Sequence, residues 1–206
     1  MKFTQIPNDT FQKLQLNAGI LVKSFAPETG TITDIIGATS GGVSFTATPS
    51  FSDFGEDIDN APKNTKELKK LDSWEVSMTG SFVTVDSASA KMLVGAGDTS
   101  TVASSEVTKI TPRNDVADAD FDDLWWVGDY SDQNGATNGG FIAIHMLNSL
   151  STGGFALQTS DRAKGTFAFT FTGHYSINAQ DTVPYEIYVK AGESEDAEGA
   201  TGVTGA

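Results

Sequence analysis

The 206 residues are 38% hydrophobic, the content of one folded domain or two small ones, and this rules out a globally disordered chain. Acids outnumber bases 27 to 13, a net charge of −14, which argues against a protein that binds a phosphate backbone to read sequence. With no cysteine and only His145 and His174, disulfides, thiolate metal sites and cysteine nucleophiles are excluded and acid–base chemistry has little material.

In chain order, the start of the sequence, Met1 to Asp9, lacks the apolar stretch of a signal peptide. Gly19–Phe25 and Thr31–Ile36 are expected to pair as a hairpin across Pro27-Glu28-Thr29-Gly30. Val43–Thr48 alternates apolar and polar residues, with Gly41-Gly42 supplying a turn before it. Thr65–Leu71 reads as a short helix capped by Thr65. Trp74, Val76, Met78, Gly80 and Phe82 share one face of a strand, and Glu75, Ser77, Thr79 and Ser81 take the other. Asp86 is the expected N-cap of a helix over Ser87–Val94 that stops at Gly95. Leu124–Val127 and Phe141–Leu147 are dense in apolar residues and read as strands buried on both faces. The turn-rich Gly128–Gly135 connects them as a wide hairpin loop. Phe167, Phe169 and Phe171 line a further strand, and Val183–Val189 forms the last, with Pro184 near its start.

The expected fold is therefore mostly β, a sandwich or barrel-like domain over residues 1–190 with one or two short helices. Ala191–Ala206 has no aromatic residue and is expected to be a disordered acidic tail. No apolar run approaches the about 20 residues that cross a bilayer, so no membrane role is expected.

Charge is unevenly placed. Asn114–Asp161 contains no Lys or Arg but eight Asp, including Asp115, Asp118, Asp120, Asp122 and Asp123 ahead of Trp125-Trp126, then Asp129 and Asp132. Asp118, Asp120, Asp122 and Asp129 match positions 1, 3, 5 and 12 of a calcium loop, but Asp123 stands where that loop needs Gly and the flanks read as strands. A solvated acidic loop fits better than a metal site. A second cluster sets Asp53, Glu56, Asp57 and Asp59 immediately before Lys63, Lys66, Lys69 and Lys70. It reads as a solvated face or as a contact surface between copies, where charge sets register more than strength. His145 on an apolar strand reads as a core residue, and His174 ends a strand. Neither stands beside a nucleophile motif, and no phosphate loop is present, so an enzyme and a cofactor are not expected.

Five segments together resemble the major tail tube proteins of phages with long non-contractile tails, especially the siphovirus and prophage type of Gram-positive hosts. They are Phe11–Gly19, Phe51–Asp59, Leu71 through Gly80, Asp123–Ser131 and Phe169–Tyr175, covering about residues 10 to 190. The resemblance implies hexameric rings whose strands contribute to an inter-subunit inner β-barrel, stacked into a tube that conducts double-stranded DNA during ejection. It also implies a virion protein assembled in the host cytoplasm, with tape measure, tail terminator and distal tail or baseplate proteins as partners. Asp53–Lys70 resembles the family's long loop between strands and takes the inter-subunit contact role. Asp115, Asp118, Asp120, Asp122, Asp123 and Asp132 are the candidates to line or flank an acidic lumen that does not hold DNA. Many relatives carry a further immunoglobulin-like domain, which is not seen in these residues. Two alternatives are the tube of a contractile phage or secretion-like system, and a calcium-dependent carbohydrate-binding β-sandwich using the Asp118–Asp129 loop and a tryptophan platform.

Overall fold

In the computed structural model the described residues are 6–7, 10, 13–103, 105–129 and 139–192. The expected disordered tail lies outside them from residue 193 onward, as do Asp132 and most of the loop after Gly128. The chain is mostly β. In chain order the strands are β1 Ile20–Ala26, β2 Thr31–Gly37, β3 Thr39–Asp53, β4 Lys69–Phe82, β5 Gly97–Thr101, β6 Thr108–Pro112, β7 Asp122–Asp129, β8 Phe141–Ser151, β9 Ala156–Gln158, β10 Thr166–Gly173 and β11 Tyr185–Lys190. Among the described residues the α-helix is α1, Ser87–Val94, between β4 and β5.

Contacts group the chain into two units. The first comprises Met1–Ile36, Leu124–His145 and Ile187–Ala206. Here β2 pairs β1, and β1 pairs antiparallel with β7, placing Leu21 opposite Trp126 and Val22 opposite Trp125. The expected β1–β2 hairpin is present, closed by the Gly30 N–H donating to the Ala26 carbonyl at 2.8 Å. Its core is Val22, Phe25, Trp125, Val127, Phe141 and Ala143. Phe25 meets Trp125 and Phe141 edge-on, at 5.6 and 5.3 Å between centroids. The Trp126 indole N–H donates to the Ala18 carbonyl, which seats the segment before β1 on β7.

The second unit comprises Gly37–Asp123 and Met146–Glu186. Its sheet runs β8–β10–β4–β3, with β9 added to β10. The period-two reading of β4 holds: Val76, Met78 and Phe82 are buried, against Phe169 and Phe171 of β10. Phe82 and Phe169 lie 4.6 Å apart between centroids. Each such buried side chain stabilises the fold by about 1.5–3 kcal/mol.

Three sequence expectations are corrected here. Gly41-Gly42 makes no turn before β3. Both glycines have φ near +83° inside the strand, and the β3–β4 register shifts between Thr39 and Val43, so they form a bulge. Thr65–Leu71 is not a helix. Only Lys66–Leu68 makes a single 3-10 turn, and Lys69 onward joins β4, where ladder bonds to β3 outweigh helix propensity. Pro184 lies just ahead of the last strand rather than within it. By contrast α1 has the expected bounds: the Asp86 carboxylate accepts from the Ser89 N–H, the Ser89 hydroxyl returns the contact, and Gly95 ends the helix at φ +76°.

Candidate assembly surface

β3 and β4 continue as a two-stranded arm past the end of their own core. All of Lys69–Ser73 is exposed, and residues 54–68 form the tip. The register explains how side chains are distributed along it. Val43, Phe45, Ala47 and Pro49 of β3 alternate on the core side, and Phe51 continues that stripe. One extra residue on β4, Asp72, lies between the pairs Ser50–Ser73 and Phe51–Leu71. This bulge brings Leu71 onto the same face as Phe51. The apolar stripe thus overruns the core: Phe51 is 52% exposed and Leu71 42%, with Phe54 and Ile58 at the tip more than half exposed or nearly so. At the root, the Phe45, Trp74 and Tyr185 rings pack together, and the Trp74 N–H donates to the Tyr175 hydroxyl at 2.8 Å.

The tip is held by its own polar groups. The Asp53 carboxylate accepts from the Gly55 N–H at 2.9 Å and the Asn64 N–H at 2.8 Å, closing the loop end to end. Those two backbone donors, followed by nearby Lys69 and Lys63, hold its pKa below the ordinary aspartate value. Lys63 pairs with Glu56 at 3.4 Å, Lys66 with Glu67 at 3.3 Å and Lys70 with Asp72 at 3.7 Å. Lys69 donates to the Asn64 side chain and sits 5.4 Å over the Phe51 ring. The Ser52 hydroxyl donates to the Asp72 carboxylate. Asp57 and Asp59 are exposed. The acids and lysines of this stretch are therefore brought together as one charged tip, and much of their pairing is internal. The apolar residues between them leave a signal in the sequence, Phe51-x-x-Phe54-x-x-x-Ile58 in a polar loop.

The acidic sector is placed differently. The Asp120 side chain is almost fully buried, with its carboxylate held by the Arg113 guanidinium at 2.6 and 2.8 Å and by the Ala117 N–H at 2.9 Å, and Lys91 lies 3.7 Å away. The Ala117 N–H and then Arg113 keep its pKa low, and Asp120 in turn raises that of Arg113. Arg113 also reaches Asp98 and Asp115. The arginine just outside the cation-free window thus neutralises part of it. Asp118 and Asp123 are exposed, and Asp122 and Asp129 are half-buried. Asp123 accepts the Asn148 N–H. Among the described residues no three His, Cys, Asp or Glu side chains gather to hold a metal ion, so Asp118, Asp120, Asp122 and Asp129 are not brought together as a ligand set. His145 stacks flat on Trp125 at 3.9 Å. His174 lies with Nδ1 at 3.1 Å from the Asn148 carbonyl, which can only accept, so Nδ1 carries the proton.

No protein-family model matches the sequence, and no curated protein matches it. Among solved structures the chain is similar to one from the tail of an empty GTA particle with C6 symmetry. The TM-score is 0.41 at 8% identity, covering 77% of this chain and 92% of that one.

Proposed function

We propose that this chain is a structural virion protein, the tube subunit of a phage-like tail of the long non-contractile type, with no catalytic role. Six copies close into a ring, rings stack, and double-stranded DNA passes through the bore during ejection. The tape measure, terminator and distal tail proteins are the partners the sequence resemblance implies.

The observation that carries this reading is the β3–β4 arm. A two-stranded ribbon is marginal in water by itself, and this one exposes Phe51, Phe54, Ile58 and Leu71 along one stripe. A neighbouring copy that covers the stripe completes a core the single chain leaves open. Such a contact joins unlike surfaces of identical chains, the kind that closes rings or propagates stacks. Charge supports the conduit: six copies at −14 give −84 per ring, so DNA is not retained. A contractile-system tube would share these features and differ by the sheath around it.

Electron microscopy of the purified protein across a concentration series tests the reading. The wild-type chain is expected to form hollow rings or tubes, and Phe54→Asp/Ile58→Asp to remain unassembled with an unchanged circular dichroism spectrum. A wild-type chain that stays monomeric throughout overturns the tube, and a double variant that assembles at normal yield overturns the arm's role.

A further inference from the structure

The geometry points to the outward face of the β10–β4–β3 sheet as the wall along which duplex DNA moves, an inference that rests on the tube reading and assigns its inner surface. The register sets hydroxyl side chains in rows across three strands. Ser44, Thr79 and Thr170 form one row, and Thr46, Ser77 and Thr172 the next. Neighbours in a row are about 4.8 Å apart, and successive rows about 6.8 Å. The Thr152 and Thr172 hydroxyls bond at 2.8 Å and extend the array onto the next segment of chain. Ser81 opposite Ala168, and Thr48 opposite Glu75, flank it. Ser44, Thr46 and Thr48 are exposed and the β4 and β10 hydroxyls half-exposed, whereas the reverse face holds Val76, Met78, Phe82, Phe169 and Phe171.

On a chain with 27 acids, residues 44–50, 73–82 and 166–173 carry a single charge, Glu75, and no Lys or Arg, and the first cation on this face is Lys70, opposite Ser52 on the arm. Protein contacts favour aromatic, Met and Arg residues and are poor in Ser. The arm's apolar stripe fits that description and the hydroxyl face does not. Each hydroxyl both donates and accepts, so the array binds a layer of water without net charge. Cations here would capture phosphates by releasing counterions. Carboxylates here would make a closely passing polyanion climb a repulsive barrier at every row. A hydrated neutral wall does neither, and the acids elsewhere supply the long-range repulsion.

The absence of cysteine makes single-cysteine labelling the test. Thr46→Cys and Thr79→Cys are made, tubes are confirmed by microscopy, and each is treated with N-ethylmaleimide or with a polymer-linked maleimide too bulky for the bore. Unassembled chains should react with both. Assembled tubes should keep full reaction with the small reagent and lose the bulky one except at tube ends. Bulky labelling along the whole tube places the face outside, and loss of both reactions places it between copies. Either result overturns the assignment while leaving the tube intact. Failure of the wild-type chain to form tubes overturns the tube reading instead. If the cysteine variants alone fail to assemble, Ser44→Cys and Thr172→Cys are used, and failure of all four shows that the face is packed between copies.

Discussion

The Asp120 carboxylate is enclosed by two cations, Arg113 and Lys91, and by the Ala117 N–H, with its side chain almost fully buried. Removing one partner of such a group leaves the other unsatisfied, so Asp120→Asn should lower unfolding stability by about 1–3 kcal/mol. The same change at exposed Asp118 should stay within about 0.5 kcal/mol. Urea denaturation distinguishes the two. The sign of the pH effect follows from a folded pKa held below the ordinary 3.8. Asp120's contribution is full above 3.8 and is lost as pH falls through its lower folded value. The Asp120→Asn chain should lack that acid-limb loss in a pH series. Asp86→Ala removes the N-cap of α1 and should cost about 1 kcal/mol. Asp86 and Gly95 could be read from sequence because a cap is settled within four residues. The Arg113 cluster could not, because Asp98 and Lys91 reach it only through the fold.

At the scale of elements, the β4 pairing leaves no room at Gly80, where a Cβ would meet the Phe169 ring at 2.6 Å. Gly80→Ala forces that buried ring to move and should destabilise the second unit by about 1–3 kcal/mol, measured by thermal unfolding. The strands with strict alternation, β4 and β10, were legible because one face is buried and the other wet. β5 and β6 were not, since four of five residues in each are exposed and no apolar period marks them. Thr65–Leu71 reads as a helix for the opposite reason. Its helix-forming residues are locally persuasive, but Lys69, Lys70 and Leu71 have partners in Asp53, Ser52 and Phe51. Charge segregation in the tip was visible in the sequence, while its internal pairing and the overrunning apolar stripe needed the register.

For the whole molecule, each copy brings −14 to any assembly, so like-charge repulsion opposes association even where the contact is apolar. The screening length shrinks from about 30 Å at 0.01 M salt to about 8 Å at 0.15 M. The critical concentration for assembly should therefore fall as sodium chloride rises over that range, followed by light scattering. The opposite slope would mean that attraction between charged tips dominates. The order of the strands along the chain also has a consequence in time. β4 has β3 as one neighbour by Phe82, but its other neighbour, β10, begins only at Thr166, 84 residues later. At synthesis rates of about 5–20 residues per second, the free edge of β4 waits about 4–17 s on the ribosome. Throughout that interval its unpaired N–H and C=O groups, beside Val76 and Met78, can pair with the same edge of an adjacent nascent chain. Closer ribosome spacing should therefore lower the yield of folded protein, and chaperone access during that interval should restore it.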